Sequence, residues 1–197
     1  MPNPTSTAPA KGPFSNFTIN ANRTTNPKAP TLKGKITVID TDGSAHEFEH
    51  AAWGPNAPTE AGKREYFSVT VMPLDPALAA RQAQIISGRI AMADVANAPD
   101  GLKLDTLGRG VLFETTPEER AAAEAAGKKV RTWFGSALVL LPSGPKAIDL
   151  AARKVDGYAF HSGWANLHDP KAAAEARDEK ATRPAKKSGA DRKATNG

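Results

Sequence analysis

One segment of the sequence has residue types and spacing that could bind a catalytic metal. Residues 46–50 read HEFEH, which matches the H-E-x-x-H pattern. On a helix the two histidines share a face and can bind one zinc ion, with Glu47 as the general base. Ser44 and Glu47 would begin such a helix as a capping box, and Gly54 would end it.

An extended conformation of the same segment is favoured by its neighbours. An Asp42-Gly43 dipeptide, typical of a β-hairpin turn, precedes it, and apolar and polar residues alternate on both sides. In a strand His46 and His50 would be about 13 Å apart, too far to share an ion. The glycine and histidine that complete the longer metzincin pattern are also missing after His50. We therefore predict two ordinary strand histidines and keep a zinc-dependent hydrolase using residues 46–50 as the least favoured alternative.

No other set of residues forms a catalytic motif. His161 and His168 are seven residues apart in a predicted strand and loop, and Gly-x-Ser-x-Gly, P-loop and G-x-G-x-x-G patterns are absent from the sequence. The chain has no cysteine, which excludes a disulfide scaffold, a cysteine nucleophile and thiolate metal sites. The sequence predicts a protein that is not an enzyme, with no catalytic residues, metal ligands or cofactor.

Aromatic side chains interleaved with basic ones favour nucleic acid as a partner. Lys63, Arg64 and Tyr66 begin a predicted strand. Trp53 ends the neighbouring strand on the same face as Lys33 and Lys35, and a further group of aromatic and basic residues lies near residue 131. Exposed rings on a sheet can stack unpaired bases, each worth about 1–3 kcal/mol, while lysine and arginine contact the phosphates. The alternative is structural: Lys35 would pair with Glu49 across the hairpin, and Trp53 would cap the core. The predicted nucleic-acid-binding residues are Lys33, Lys35, Trp53, Lys63, Arg64, Tyr66, Arg131 and Trp133.

The positive charge is concentrated at the two ends of the chain. The protein has 197 residues and a formal net charge of +5 at pH 7. Residues 1–35 carry five basic and no acidic side chains, residues 171–197 carry eight and four, and residues 36–170 carry 13 and 17. Basic tails on a mildly acidic body commonly add sequence-independent attraction to polyanions, although they can also serve solubility alone.

The alternation of apolar and polar residues has mostly period two, which is typical of strands. The predicted fold class is α+β and mainly β, an antiparallel meander or small barrel similar to the oligonucleotide-binding (OB) fold, with one or two short helices and disordered basic ends. A disordered arm over 1–13, a compact domain over 14–168 and a helix fraying into a disordered tail over 169–197 are expected. A faint internal repeat leaves two sub-units, 14–75 and 85–168, as an alternative to one undivided domain. Strands are predicted at 17–19, 32–40, 45–53, 64–71, 85–95, 130–141 and 158–167, and helices at 77–84 and 117–126. Residues 102–114 are predicted to form one or two short strands broken by Gly108 and Gly110.

Two local features can be predicted in more detail. A three-residue loop, 41–43, pairs Ile36 with Phe48 and gives both faces of the hairpin a consistent polarity, whereas a two-residue loop mixes apolar and charged residues. Thr116 begins a helix as its N-cap, followed by Pro117 and a glutamate three residues after the cap, and Gly127 ends it.

Part of the chain resembles a known group of proteins. Residues 34–38 (GKITV), 51–53 (AAW) and 62–69 (GKREYFSV) are similar, in the same order, to segments of small uncharacterised β-rich proteins of bacteriophages and plasmids. The resemblance covers about residues 14–75. It implies a mobile-element origin and a small β-barrel or meander, and it brings no established active site. Bacterial single-stranded-DNA-binding proteins differ, because they end in an acidic tail and this chain ends in a basic one.

The sequence favours a non-enzymatic accessory protein of a phage or plasmid that binds single-stranded DNA or RNA. The alternative is a protein-interaction module that binds or inhibits a host enzyme or defence factor. No apolar run is long enough to span a bilayer and no secretory signal begins the chain, so a soluble, cytoplasmic protein with no membrane contact is expected. The oligomeric state stays open.

Overall fold

In a computed structural model of the protein, the described residues are 14–58, 63–91, 94–95, 97 and 103–169. Eight strands and two helices lie among them, and Leu104–Thr106 form a short 3-10 turn. The predicted arm over 1–13, most of the tail from 169 onward and the turn at 99–101 fall outside the described residues. The elements are β1 Asn16–Ala21, β2 Leu32–Ile39, β3 Ala45–Asn56, β4 Tyr66–Pro73, α1 Pro76–Ile86, β5 Arg109–Glu114, α2 Pro117–Ala125, β6 Trp133–Leu141, β7 Gly144–Lys154 and β8 Phe160–Leu167.

The eight strands form one closed antiparallel barrel in which each strand pairs with its neighbours in the sequence. The last strand returns to the first, with Phe17 opposite Gly163, so none of the eight strands has a free edge. The prediction of a mainly β fold, a small barrel or meander with one or two short helices, is confirmed. The strand order is up-and-down, and it differs in this from the five-stranded Greek-key barrel of the OB fold. Strands from both predicted sub-units, 14–75 and 85–168, belong to the same closed sheet.

The β2–β3 hairpin has the predicted loop and register. Ile36 lies opposite Phe48, the N–H of Asp40 donates to the carbonyl of Ser44 at 2.8 Å, and residues 41–43 form the loop between them. Gly43 has φ +85°, the left-handed conformation that a glycine adopts without steric cost. The local turn chemistry and the alternation of the flanking strands agree, which is why this register could be predicted.

The barrel interior holds the main hydrophobic core. Alternate side chains of every strand point inward, and the largest of them, such as Phe17, Phe48 and Leu112, are fully buried. An eight-stranded barrel is just wide enough for such side chains to fill it. Gly163 faces this interior where strands approach closely: a Cβ there would lie 1.8 Å from the carbonyl oxygen of Ala151, so a side chain does not fit without moving backbone.

Two predictions about the strands are wrong. β7 was not predicted, because its alanines, lysines and aspartate have low strand propensity, yet it pairs along its length with β6 and β8. Conversely, the predicted strand at 85–95 does not form among the described residues of that range. Ile85 instead belongs to the last turn of α1. There it packs with Leu107 and Leu140 in a second small cluster on the outer face of β6.

The connections divide between the two ends of the barrel. One end carries the β2–β3 and β6–β7 turns and the β4–β5 connection with α1. Asp40 joins the two turns by accepting hydrogen bonds from the hydroxyl of Ser143 at 2.6 Å and from its N–H at 3.3 Å. Burial alone would raise the pKa of Asp40, but hydrogen bonds from Ser143 and Thr41 outweigh it, and the pKa is lowered. The other end carries the β1–β2, β3–β4, β5–β6 and β7–β8 connections, and we call it the loop end.

Candidate nucleic-acid interface

Three aromatic side chains lie side by side on the outer face of the barrel near the loop end. Phe113 on β5 is directly opposite Phe134 on β6, and their rings are stacked with centroids 5.6 Å apart and planes 29° apart. On β4, Phe67 pairs with Leu112 of β5, so Tyr66, the residue before Phe67, lies next to Phe113. All three are half-buried. They face outward because their neighbours along each strand fill the core.

Two arginines accompany these rings. The guanidinium carbon of Arg64 lies 5.1 Å from the centroid of the Phe134 ring, and that of Arg131 lies 5.6 Å from it. These distances are within the range of a cation–π interaction. Phe134 therefore has one aromatic ring and two guanidinium groups packed around it, and it is half-buried at the surface.

A surface cavity of about 730 Å³ lies against this group. Its walls are mostly apolar, and two basic side chains are among those that line it. We call it the aromatic pocket, and it is lined by Pro58, Lys63, Arg64, Tyr66, Val111, Phe113 and Phe134.

Helix α2 fixes the position of Arg64. The two terminal nitrogens of Arg64 donate to the carboxylate of Glu119 at 3.1 and 2.6 Å, a two-pronged ion pair between partly exposed side chains. The same carboxylate accepts from the N–H of Thr116 at 3.0 Å, as part of the predicted capping box. The hydrogen bonds from Arg64 and Thr116 lower the pKa of Glu119, so it is charged at neutral pH. The predicted N-cap and helix are confirmed, and Gly127 follows the helix with φ +64°.

The structure brings together half of the predicted nucleic-acid-binding residues. Lys63, Arg64 and Tyr66 line the aromatic pocket, and Arg131 contacts it through Phe134. Phe113 and Phe134, the stacked pair that lines it, were not predicted. In the structure both rings point away from the core, and their pairing across β5 and β6 is a tertiary contact that no sequence spacing reveals.

Three further predicted residues lie on the outer surface but do not line the pocket. Lys33 and Lys35 are exposed on β2, and Lys35 is opposite Glu49, as the structural alternative predicted. Trp53 on β3 shares their face and is 37 % exposed, so it does not cap the core. Its ring N–H donates to the carbonyl of Lys28 at 3.2 Å.

The prediction that Trp133 lies on the binding surface is wrong. Trp133 is 6 % exposed and points into the barrel, where its ring meets Phe67 edge-on at 5.1 Å and His161 at 6.2 Å. The alternation of β6 explains this: Ala137 and Val139 point inward, so residue 133 does too and Phe134 points outward. Extending the alternation back from Ala137 and Val139 would have predicted Trp133 in the core and Phe134 on the outer surface.

The histidines of the HEFEH segment do not form a metal site. The segment lies in β3, so the helix that the zinc-hydrolase alternative requires is not formed. His50 is 3 % exposed, its Nε2 donates to the carbonyl of Thr18 at 2.7 Å, and burial lowers its pKa. His46 instead contacts the hydroxyl of Ser44 at 2.8 Å. Within the described part of the chain, no group of three or more potential ligand side chains could hold a metal ion.

Comparisons with known proteins add no family. No protein-family model matches the chain, and no curated protein and no solved structure matches it significantly. Among the described residues, none of the helices has the length and apolar character needed to cross a membrane.

Proposed function

We propose that the protein binds single-stranded nucleic acid, with the aromatic pocket as the principal site, and acts in the cytoplasm as a non-enzymatic accessory protein of a phage or plasmid. The observation that carries the proposal is the stacked Phe113–Phe134 pair with the guanidinium groups of Arg64 and Arg131 beside it. Unpaired bases stack on aromatic rings and on guanidinium planes alike. The rings and Arg64 line one open cavity, and Arg131 beside Phe134 adds a second guanidinium group.

The energetics favour unpaired bases over a duplex. A base stacked on an aromatic side chain contributes about 1–3 kcal/mol, and every base has a face that can stack. In a duplex these faces are already stacked on each other, so the pocket would gain nothing from them. Lys63 and Arg131 at the edge of the pocket would contact phosphates, which makes binding depend on salt rather than on sequence.

The test uses fluorescein-labelled dT12 and U12 and measures fluorescence anisotropy at several salt concentrations. Phe134→Leu, which keeps an apolar side chain but removes the ring, is expected to weaken binding by about 5- to 100-fold. Arg131→Gln should weaken binding and reduce the magnitude of the slope of log K against log salt by about 1. The matched control is Arg89→Gln, which removes one positive charge after α1, away from the loop end, and should leave the slope unchanged.

Two outcomes would overturn the proposal. One is absent or salt-independent binding of both oligonucleotides by the wild-type protein. The other is a Phe134→Leu variant that binds as tightly as Arg89→Gln. Co-purification with and without nuclease completes the test, because a stoichiometric protein partner that survives nuclease would instead support the protein-interaction module.

A further inference from the structure

The outer face that carries the aromatic pocket continues without interruption onto β7 and β8. Phe134 pairs with Ala151 on β7, and Ala151 pairs with Trp164 on β8. Side chains directly opposite each other share a face, so only the methyl group of Ala151 lies between Phe134 and Trp164. Trp164 is 41 % exposed, whereas Ala151 between the two rings is 2 % exposed. The aromatic row therefore crosses the barrel from Tyr66 to Trp164, roughly perpendicular to the strands.

A second cavity lies beside this part of the row. It has a volume of about 1610 Å³ and is lined by Ala151 and Trp164 together with five basic and three acidic side chains. One of the acidic side chains, Glu114, is paired with Arg120 at 2.8 Å. The lining thus has an excess of positive charge.

Arg131 joins the two cavities. Its guanidinium group contacts the Phe134 ring at the edge of the aromatic pocket, and the same residue lines the second cavity with Lys129 and Arg153. A polyanion that leaves the pocket past Phe134 therefore meets positive charge on the side where Trp164 lies.

We propose that the bound strand runs from the aromatic pocket across β7 to β8, with Trp164 as a second stacking platform and with Arg131 and Arg153 contacting the phosphates between. This inference rests on the proposed function and adds to it a path and a minimum length. Adjacent strands are about 4.8 Å apart, so Phe134 and Trp164 are separated by about 10 Å and the whole row by about 19 Å. The rise between stacked nucleotides is about 3.4 Å, so the two rings contact bases that are not adjacent. A trinucleotide fills the pocket alone, and a longer strand reaches Trp164.

The experiment compares dT3 with dT12, and U3 with U12, by anisotropy for the wild-type protein and for Trp164→Leu. The substitution is expected to weaken binding of the 12-mer by about 5- to 100-fold and to leave binding of the 3-mer within twofold. Trp164→Phe, which keeps a stacking ring, should restore most of the affinity for the 12-mer. The matched control is Met72→Ala, which truncates another exposed apolar side chain, on the outer face of β4 toward the end opposite the loop end.

The outcomes distinguish the proposed path to Trp164 from the proposed binding at the aromatic pocket. If Trp164→Leu leaves the 12-mer affinity unchanged, or weakens both lengths equally, the path is overturned while the Phe134→Leu result still decides the pocket. If Trp164→Phe binds the 12-mer as weakly as Trp164→Leu at equal thermal stability, stacking on β8 is refuted. If the wild-type protein binds no oligonucleotide, the proposed function fails and the path fails with it.

Discussion

The ion pair between Arg64 and Glu119 provides a direct test of how the pocket meets a polyanion. Glu119 has two roles, because it caps α2 through Thr116 and neutralises the arginine that lies over Phe134. Glutamine is also found at this position of a capping box, where its side-chain oxygen can accept the same hydrogen bond. Glu119→Gln therefore removes one negative charge from the edge of the pocket and retains the helix cap.

The size of the effect follows from the geometry. A phosphate that contacts Arg64 would lie about 6 Å from the Glu119 carboxylate, which itself is within 3.1 Å of the guanidinium nitrogens. The repulsion of two unit charges about 6 Å apart in water corresponds to about a threefold loss of affinity. Glu119→Gln should thus bind dT12 about threefold more tightly than the wild-type protein at 10 mM salt, where the Debye length is about 30 Å. The gain should disappear near 1 M salt, where that length is about 3 Å.

The assay is anisotropy of labelled dT12 over a salt series, with Glu118→Gln as the matched control. Glu118 lies in the same first turn of α2 and is equally exposed, but it does not pair with Arg64. Its substitution should raise the affinity less than Glu119→Gln at every salt concentration. Equal gains for the two variants would show that only net charge matters, and a loss of affinity in Glu119→Gln would refute the competition between phosphate and carboxylate.

Two further predictions concern the stability of the barrel. Ser143→Ala removes hydroxyl donation to the charged Asp40 and should lower the free energy of unfolding by about 1.5–3 kcal/mol at pH 7, measured by urea denaturation against Ser136→Ala. Because the pKa of Asp40 is lowered in the folded state, this contribution is complete at neutral pH and is lost as the pH falls below about 3.8, so a pH-independent difference would contradict the assignment. Gly163→Ala places a methyl group 1.8 Å from the Ala151 carbonyl oxygen and should lower the free energy of unfolding by about 3 kcal/mol or more, whereas an unchanged urea midpoint would show that β7 and β8 can move apart.

The parts of the fold that were predictable depend on neighbours in the chain. The β2–β3 hairpin is determined by its Asp-Gly turn and by alternation on both sides, and α2 by Thr116, Pro117 and Glu119 within one turn. β7 could not be predicted in this way, because hydrogen bonds to two flanking strands override the weak strand propensity of its residues. The predicted strand at 85–95 is wrong for a different reason, because a short apolar run occurs at the end of a helix as well as in a strand.

The candidate site shows the same division. Lys63, Arg64 and Tyr66 lie within four consecutive residues, and the structure places all three at one cavity. Phe113 and Phe134 meet only because β5 and β6 pair in one particular register. Whether a tryptophan at a strand end faces core or solvent depends on the phase of the strand, and a shift of one residue reverses it.

The seam between β1 and β8 has a consequence for the connectivity of the chain. The first residue of β1 and the last of β8 lie at the same end of adjacent antiparallel strands, and nearby the hydroxyl of Ser15 donates to the side-chain oxygen of Asn166 at 2.9 Å. A short covalent linker between these strand ends would turn the most distant pairing in the sequence into a local hairpin. Circular permutation is therefore compatible with all eight pairings, and loops at either end of the barrel could supply the new break. Because the sheet is closed, the chain could start at any of the eight strands. The order in which the strands are connected can be changed without altering the sheet that carries the aromatic row.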